Sequence, residues 1–491
     1  MQFDNGLDIN RLQLSYVSRS IVNPAMFAYV LALCACLMLY PLYMLKWYWW
    51  IFGLVEVLGF FYFVNYYSKK WQFINVTSFK HKLFYTALVI RVVYVLFSYY
   101  FYILMTDIPF EMGTADAWIY HKVSEGIANA MRNGDFNLRL ALDKAMGSHV
   151  SFSDSGYPIY LSFIYYLSFD SILIARIVKS ILSAYSIVLI YNISTRNFGD
   201  VVGRVAAILC LLMPNLIYYC GLHLKETEML FLVLFVIDRA DQILHANNKI
   251  RWLELILAVI ALSSFRIVLA CVAVLAVLLA FVLYKDRFVK RGRYIYSAII
   301  LIAFVGLFLL NQTEVNDEVN VLWNVEHLQQ QQTNMEWRSQ RDGENSQRFA
   351  KYASAVVFAP MIFTLPFPTM TEIPEQENQK MINGGNFVKN IMSYFTIMTL
   401  IILLISGNWR KYILLEAFLC GYLLVLAFSS FAHSERFHLP VLPFIMMFAA
   451  YGICNTYRYP WIRTRYRYWC VLMLIAAVAW NWFKLAGRGF I

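Results

Sequence analysis

The sequence predicts an all-α polytopic membrane protein of about 13 transmembrane helices, with external loops that carry interfacial helices. Three observations predict it. Sixty per cent of the 491 residues are hydrophobic and only 14% are charged, against about 25% charged in an ordinary soluble domain. Apolar runs of about 20 residues, enough to cross roughly 30 Å of hydrocarbon, recur from end to end. The formal charge of +11 sits mainly in short connectors between those runs, which is how topology is set rather than how nucleic acid is bound.

The runs that read as helices are 24–45, 47–66, 83–104, 171–193, 202–221, 226–245, 252–265, 267–284, 294–311, 388–406, 412–431, 437–455 and 468–484. Two shorter apolar pieces, 156–168 and 352–366, are broken by Pro158, Pro360 and Pro366 and read as re-entrant or interfacial. The chain therefore divides into an N-terminal segment with two helices (1–66), a transmembrane core that includes an external loop (67–311), an external loop region (312–387) and C-terminal helices (388–491). All eight cysteines lie in apolar stretches, so they read as small packing residues and suggest no disulfide framework. The N-terminus is polar for about 23 residues and lacks a cleavable signal pattern. No internal repeat is visible.

The charges orient the helices. Lys69, Lys70, Lys80 and Lys82 fill one connector; Lys285, Arg287, Lys290, Arg291 and Arg293 fill another; Arg458, Arg463, Arg465 and Arg467 fill a third. The pairs Lys249/Arg251 and Arg410/Lys411 agree with these when the two short pieces do not span. Positive connectors stay in the cytoplasm, so the N-terminus is expected there and the C-terminus outside. The long loops 105–155, 312–351 and 367–387 are then external; the first two each hold seven acids against four Lys or Arg. Long external loops on a helical scaffold are where chemistry is expected.

The first loop reads as helical from 115 to 131, with Asp116 and Tyr120 on one face and Thr114 placed to cap it. A carboxylate at a helix N-terminus is held in its charged form, which suits a base or an electrostatic anchor. The same position also suits a cap on an amphipathic interfacial helix. Arg266 stands between two apolar halves, where a charge marks either a functional partner or a side chain reaching for the interface. Lys225, Glu226 and Glu228 lie in a short external element, and His433-Ser-Glu435-Arg436-Phe437-His438 opens a late helix. Asp116, His121, His223 and His433 are of types compatible with a divalent cation, but their spacing matches no ligand pattern. The ionisable residues inside helices, among them Glu56, Arg91, Arg176, Lys179 and Asp238, look few and scattered.

The order of these elements resembles the GT-C superfamily of membrane glycosyltransferases, in particular the branch of the protein O-mannosyltransferases and the lipid A aminoarabinose transferases. The likeness rests on Asp116, Tyr120 and Ala128 in the first loop, on Tyr157-Pro158 leading to Ala175-Arg176, and on Phe198-Gly199 with Pro214. It continues through Glu226 or Glu228, Arg266, and Arg436-Phe437 with Pro440 and Pro443, covering roughly 83–285 and 430–455. The chain departs from the pattern in Ala117 after Asp116, in Ile159 after Tyr157-Pro158, and in two extra helices at 24–45 and 47–66.

That resemblance implies a GT-C-like fold in a cell-envelope membrane, expected to be a bacterial inner membrane. It implies a sugar donor linked to polyprenyl phosphate and an acceptor that is glycan, lipid or protein. Asp116 would be the base; Arg266, Arg436, Lys225 and His438 would hold the donor phosphate. Tyr120 and Trp118 would stack on a sugar, and Glu226, Glu228 and Glu435 would meet the acceptor or pair with the cations. The rivals are an O-antigen or capsule polymerase or ligase, which places its key Arg and His late in the chain, and a lipid-linked sugar transporter or flippase, which calls for repeated segments and charges at mid-membrane.

Overall fold

A computed structural model describes residues 14–112, 115–146, 152–245, 249–283, 359–373, 377–428, 432 and 434–491, with 298 and 306 alone between 284 and 358. Thr114, His433, the connector 285–293, the expected helix 294–311 apart from 298 and 306, the loop 312–351 and residues 352–358 of the apolar piece 352–366 lie outside those residues. The described residues form helices and turns, with no strand among them and one isolated bridge between Met44 and Thr371.

Three helices come first: α1 (Arg19–Leu39), α2 (Trp47–Lys70) and α3 (Val76–Thr106). The side chain of Asn75 accepts from the Thr77 amide at 2.9 Å, which starts α3 well before its apolar run. The first long loop folds as α4 (Ala115–Arg132), α5 (Leu138–Met146) and α6 (Phe152–Ser168). Next are α7 (Ile172–Phe198) and α8 (Asp200–Leu212), joined at Gly199, whose φ of 93° a side chain would resist. Pro214 opens α9 (Pro214–Cys220) at an angle of 51° to α8, because it cannot donate to the turn before it. Then come α10 (Glu226–His245), α11 (Lys249–Phe265) and α12 (Ile267–Leu283). After the long gap are α13 (Asn383–Ile405), α14 (Ile413–Phe428), the single turn α15 (Glu435–His438), α16 (Leu442–Cys454) and α17 (Pro460–Ala486).

Among the described residues seven helical spans are long and apolar enough to cross a membrane, or eight if the bent pair α8–α9 counts as one. The other expected spans differ for local reasons. Helix α10 carries Glu226, Glu228, Asp238, Arg239 and Asp241, while α11 and α12 have 17 residues each and α14 has 16. One apolar core runs through the bundle, and α4 and α5 add a small one around Val123, Ile127 and Leu142. Polar ties cross that core: Arg91 of α3 donates to Ser183 of α7 at 2.6 Å and to the Leu211 carbonyl of α8 at 3.4 Å.

The turns collect at two ends of the bundle. At one end Arg204 donates to the Trp71 carbonyl at 2.9 Å, Phe198 stacks on Tyr412 at 4.7 Å, and Leu14 donates to the Cys454 carbonyl at 2.8 Å. Arg196 pairs with Asp241 there at 2.6 Å, near the α10–α11 turn. The basic connectors that fall within the described residues therefore share this end. At the other end Ser98 donates to the Gly221 carbonyl at 3.1 Å and Glu372 donates to the Tyr43 carbonyl at 2.8 Å. Helix α6 lies across that second end. Near its start Ser153 accepts from the Ile267 amide at 3.1 Å, and near its finish the Tyr165 hydroxyl is 3.2 Å from His223.

Candidate active site

Helix α4 is amphipathic. Ala117, Ser124, Ile127, Ala128 and Met131 are buried, while Asp116, Trp118 and Ile119 face outward. Asp116 stands in its first turn, beside the helix dipole's positive end. The guanidinium of Arg436, from α15, bridges two acids: Nη1 donates to Asp116 Oδ2 at 2.5 Å and Nε donates to Glu226 Oε1. Exposure grades through the bridge, from 49% for the Asp116 side chain through 22% for Arg436 to 1% for Glu226. An open carboxylate, a half-open cation and a sealed carboxylate thus lie in one line. They come from sequence positions 116, 226 and 436.

The remaining expected residues gather around this line. Arg266 occupies the break between α11 and α12, with its guanidinium 4.3 Å from the Phe437 ring centroid. Buried Lys225 donates to the Phe265 carbonyl at 3.0 Å, and its ammonium is 5.9 Å from the centroid of the Tyr120 ring. Tyr120 in turn packs edge-on against Tyr157 of α6 at 5.0 Å. Glu228 is buried with Lys179, 3.6 Å from its ammonium, and Lys179 also donates to the Leu222 carbonyl at 2.8 Å. Trp118 lies further out, 45% exposed, with the Lys122 ammonium 5.0 Å from its ring. Glu435 precedes Arg436 in α15. His438 is 2% exposed, with Nδ1 at 2.8 Å from the Lys389 ammonium and Nε2 at 2.8 Å from the Ala432 carbonyl.

A second row of titratable groups flanks the site. His121 Nδ1 meets the Tyr165 hydroxyl at 2.7 Å, and that hydroxyl meets His223 Nε2 at 3.2 Å. Burial holds the His223 imidazole well below the usual 6.5, and the nearby Arg176, Lys179 and His121 push the same way. Burial lowers His121 as well, so both rings stay neutral near pH 7. Burial pushes the Glu111 carboxyl above its ordinary 4.5, against the pull of Arg176 and Lys179. Arg176 and Lys179, scattered to the eye in sequence, are therefore part of one charged layer beneath the site. Lys389 is the group sequence reasoning missed: it sits at the edge of an apolar run and resembles a boundary charge. Among the described residues no group of three or more His, Cys, Asp or Glu is arranged to hold a metal.

A cationic guanidinium beside an open carboxylate is the equipment for holding an anionic leaving group while a hydroxyl is deprotonated. Residues 156–308 match the family model of the dolichyl-phosphate-mannose-protein mannosyltransferases. The match supports a membrane glycosyltransferase of the GT-C type. It takes in Lys225, Glu226, Glu228 and Arg266, while Asp116 and Arg436 fall on either side of it. No curated protein and no solved structure matches the chain.

Proposed function

We propose that the chain transfers a sugar from a polyprenyl-phosphate donor to an acceptor hydroxyl on the non-cytoplasmic face of a membrane. The observation that carries the reading is the Asp116–Arg436–Glu226 bridge at the end of the bundle opposite the basic connectors. Basic connectors mark the cytoplasmic side, so the bridge opens onto the other one. A donor anchored by its lipid would present its phosphate at that depth, where Arg436, Arg266 and Lys225 supply positive charge.

Arg436 is already engaged, so a phosphate has to take the place of one carboxylate. Asp116 is the one to leave, because Glu226 is sealed and water cannot replace its partner. The exchange turns Asp116 from an ion-pair partner into a free base. The acceptor hydroxyl gives its proton to Asp116 while its oxygen bonds to the anomeric carbon. The bond from that carbon to the phosphate oxygen breaks, and its electron pair stays on the phosphate, facing Arg436 and Arg266. Tyr120 and Trp118 offer ring faces to a sugar, with Trp118 at the outer, acceptor-facing rim. Glu228 keeps Lys179 paired, and Glu435 lies beside the phosphate-binding guanidinium as a limit on the anion's approach.

The test is transfer of labelled sugar from polyprenyl phosphate by purified protein in detergent, comparing wild type with Asp116→Asn. The reading expects transfer by wild type and its loss in a folded Asp116→Asn protein. Full activity in that variant removes Asp116 from the chemistry. Movement of intact lipid-linked sugar without transfer favours the flippase.

A further inference from the structure

We propose that Lys389 is a positioning residue for Arg436 and acts on it through His438; the inference rests on the transferase reading above. Arg436 is carried by Glu435–His438, the first turn of a helical run that continues through Leu439–Val441 into α16, and that turn has no side-chain cap at its start. The uncapped first turn of a helix has backbone donors without helical partners and frays readily. Arg436 nevertheless reaches Glu226 and Asp116 from it, so contacts from outside the helix hold its open end in place.

The fixing contacts converge on His438. Lys389 of α13 is 2% exposed, and its ammonium donates to the Leu365 carbonyl as well as to His438 Nδ1 at 2.8 Å. A carbonyl oxygen only accepts, so the ring proton is on Nε2, which donates to the Ala432 carbonyl at 2.8 Å, and Nδ1 of the neutral ring accepts from Lys389. Residue 432 precedes the turn and residue 438 ends it, so the imidazole clips the two ends of the Arg436 segment together. Lys389 occupies Nδ1 and so reinforces the tautomer that the Ala432 carbonyl selects, and it anchors the clip to α13 and to the 365 carbonyl. Removing its amine cuts the tie between the imidazole and α13, so the clip can shift and Arg436 loses its aim. The phosphate site is then present but displaced, which weakens binding without touching the phosphate ligands themselves.

The experiment is a double-mutant cycle on the full chain in detergent, read as affinity for polyprenyl phosphate with uncharged polyprenol as the control. Lys389→Met is expected to weaken polyprenyl phosphate binding about tenfold, the effect of losing one buried hydrogen bond that holds the site in place. In an Arg436→Gln background the same change is expected to add nothing, because both act on one contact. A further tenfold loss in that background means that Lys389 works independently of Arg436 and overturns the proposal. So does unchanged affinity in Lys389→Met alone. Should Lys389→Met fail to fold, as judged by gel filtration, His438→Gln and His438→Phe make the same comparison. Gln keeps one acceptor and one donor and is expected to stay within about threefold of wild type, whereas Phe is expected to lose about tenfold. Equal losses for Gln and Phe overturn the clip. Wild type that binds polyprenol as tightly as polyprenyl phosphate sinks the donor reading itself, a result distinct from any pattern among the variants.

Discussion

Asp116→Asn and Glu226→Gln remove the two carboxylates of the same arginine, yet the structure predicts opposite effects. The Asp116 pair is open, with side chains 49% and 22% exposed. Surface pairs of this kind contribute about 0–1 kcal/mol, so Asp116→Asn is expected to unfold at nearly the wild-type temperature. Its charge is what the chemistry needs: losing a general base lowers the rate by about 10²–10⁴-fold. Glu226 is only 1% exposed. Breaking a buried pair from one side costs about 3–5 kcal/mol, and the partial exposure of Arg436 puts Glu226→Gln at the lower end, about 3 kcal/mol or less. Glu226→Gln is therefore expected to lower the thermal midpoint clearly. Where it folds, it is expected to weaken donor binding more than turnover, since Arg436 loses its fixed partner and not the base. Thermal unfolding in detergent, paired with transfer kinetics on the same preparations, reads both. Equal destabilisation by the two variants, or unimpaired transfer by Asp116→Asn, refutes the reasoning.

Arg266→Met is expected to raise the donor KM roughly tenfold with the fold intact, the loss of one cation facing a phosphate, as titration of the donor in steady-state assays shows. Gly156→Ala is expected to cost about 1–3 kcal/mol, because its Cβ would stand 2.3 Å from the Ser264 hydroxyl and 2.8 Å from the Ser264 carbonyl. The measurable result is a lower thermal midpoint with slower transfer, as α6 and Tyr157 shift. His223 supplies a pH test. Its folded-state pKa is depressed below 6.5, so between those two values the unfolded chain binds more protons and stability rises with pH. Wild type is expected to lose more stability than His223→Gln when pH falls through about 6.5. The raised carboxyl of Glu111 has the opposite slope and is common to both proteins, so it cancels in the difference; equal slopes contradict the depressed value.

Much of this was legible in the sequence because membranes impose simple rules. Periodic apolar runs and basic connectors predicted a helical bundle with two chemically different ends, and the described connectors do share one end. The loop helix read over 115–131 is observed as Ala115–Arg132. Asp116, Glu226 and Arg436 are in contact, and Arg266 lies against Phe437, the residue after Arg436. What stayed hidden depends on contacts between distant positions. The pairing of Lys389 with His438 joins two helices across 49 residues, and nothing local in either segment announces it. His438, expected to hold phosphate, instead has both ring nitrogens engaged by protein atoms. The bend at Pro214 could be suspected from the proline, but its 51° depends on how α9 packs. The apolar piece 156–168 shows only part of α6, because the helix's first turn, around Ser153 and Ser155, is polar; that turn is helical and tied to Ile267.

The central claim is that a sugar leaves a lipid phosphate at the Asp116–Arg436–Glu226 bridge, on the side away from the basic connectors. Sealed vesicles holding the protein in one known orientation, loaded with labelled polyprenyl-phosphate sugar, test it most directly. The account predicts that label passes to an acceptor only when the acceptor is on the side that exposes α4, and that Asp116→Asn stops it. Transfer to an acceptor confined to the side of the basic connectors, or label that crosses the bilayer still attached to its lipid, contradicts the account.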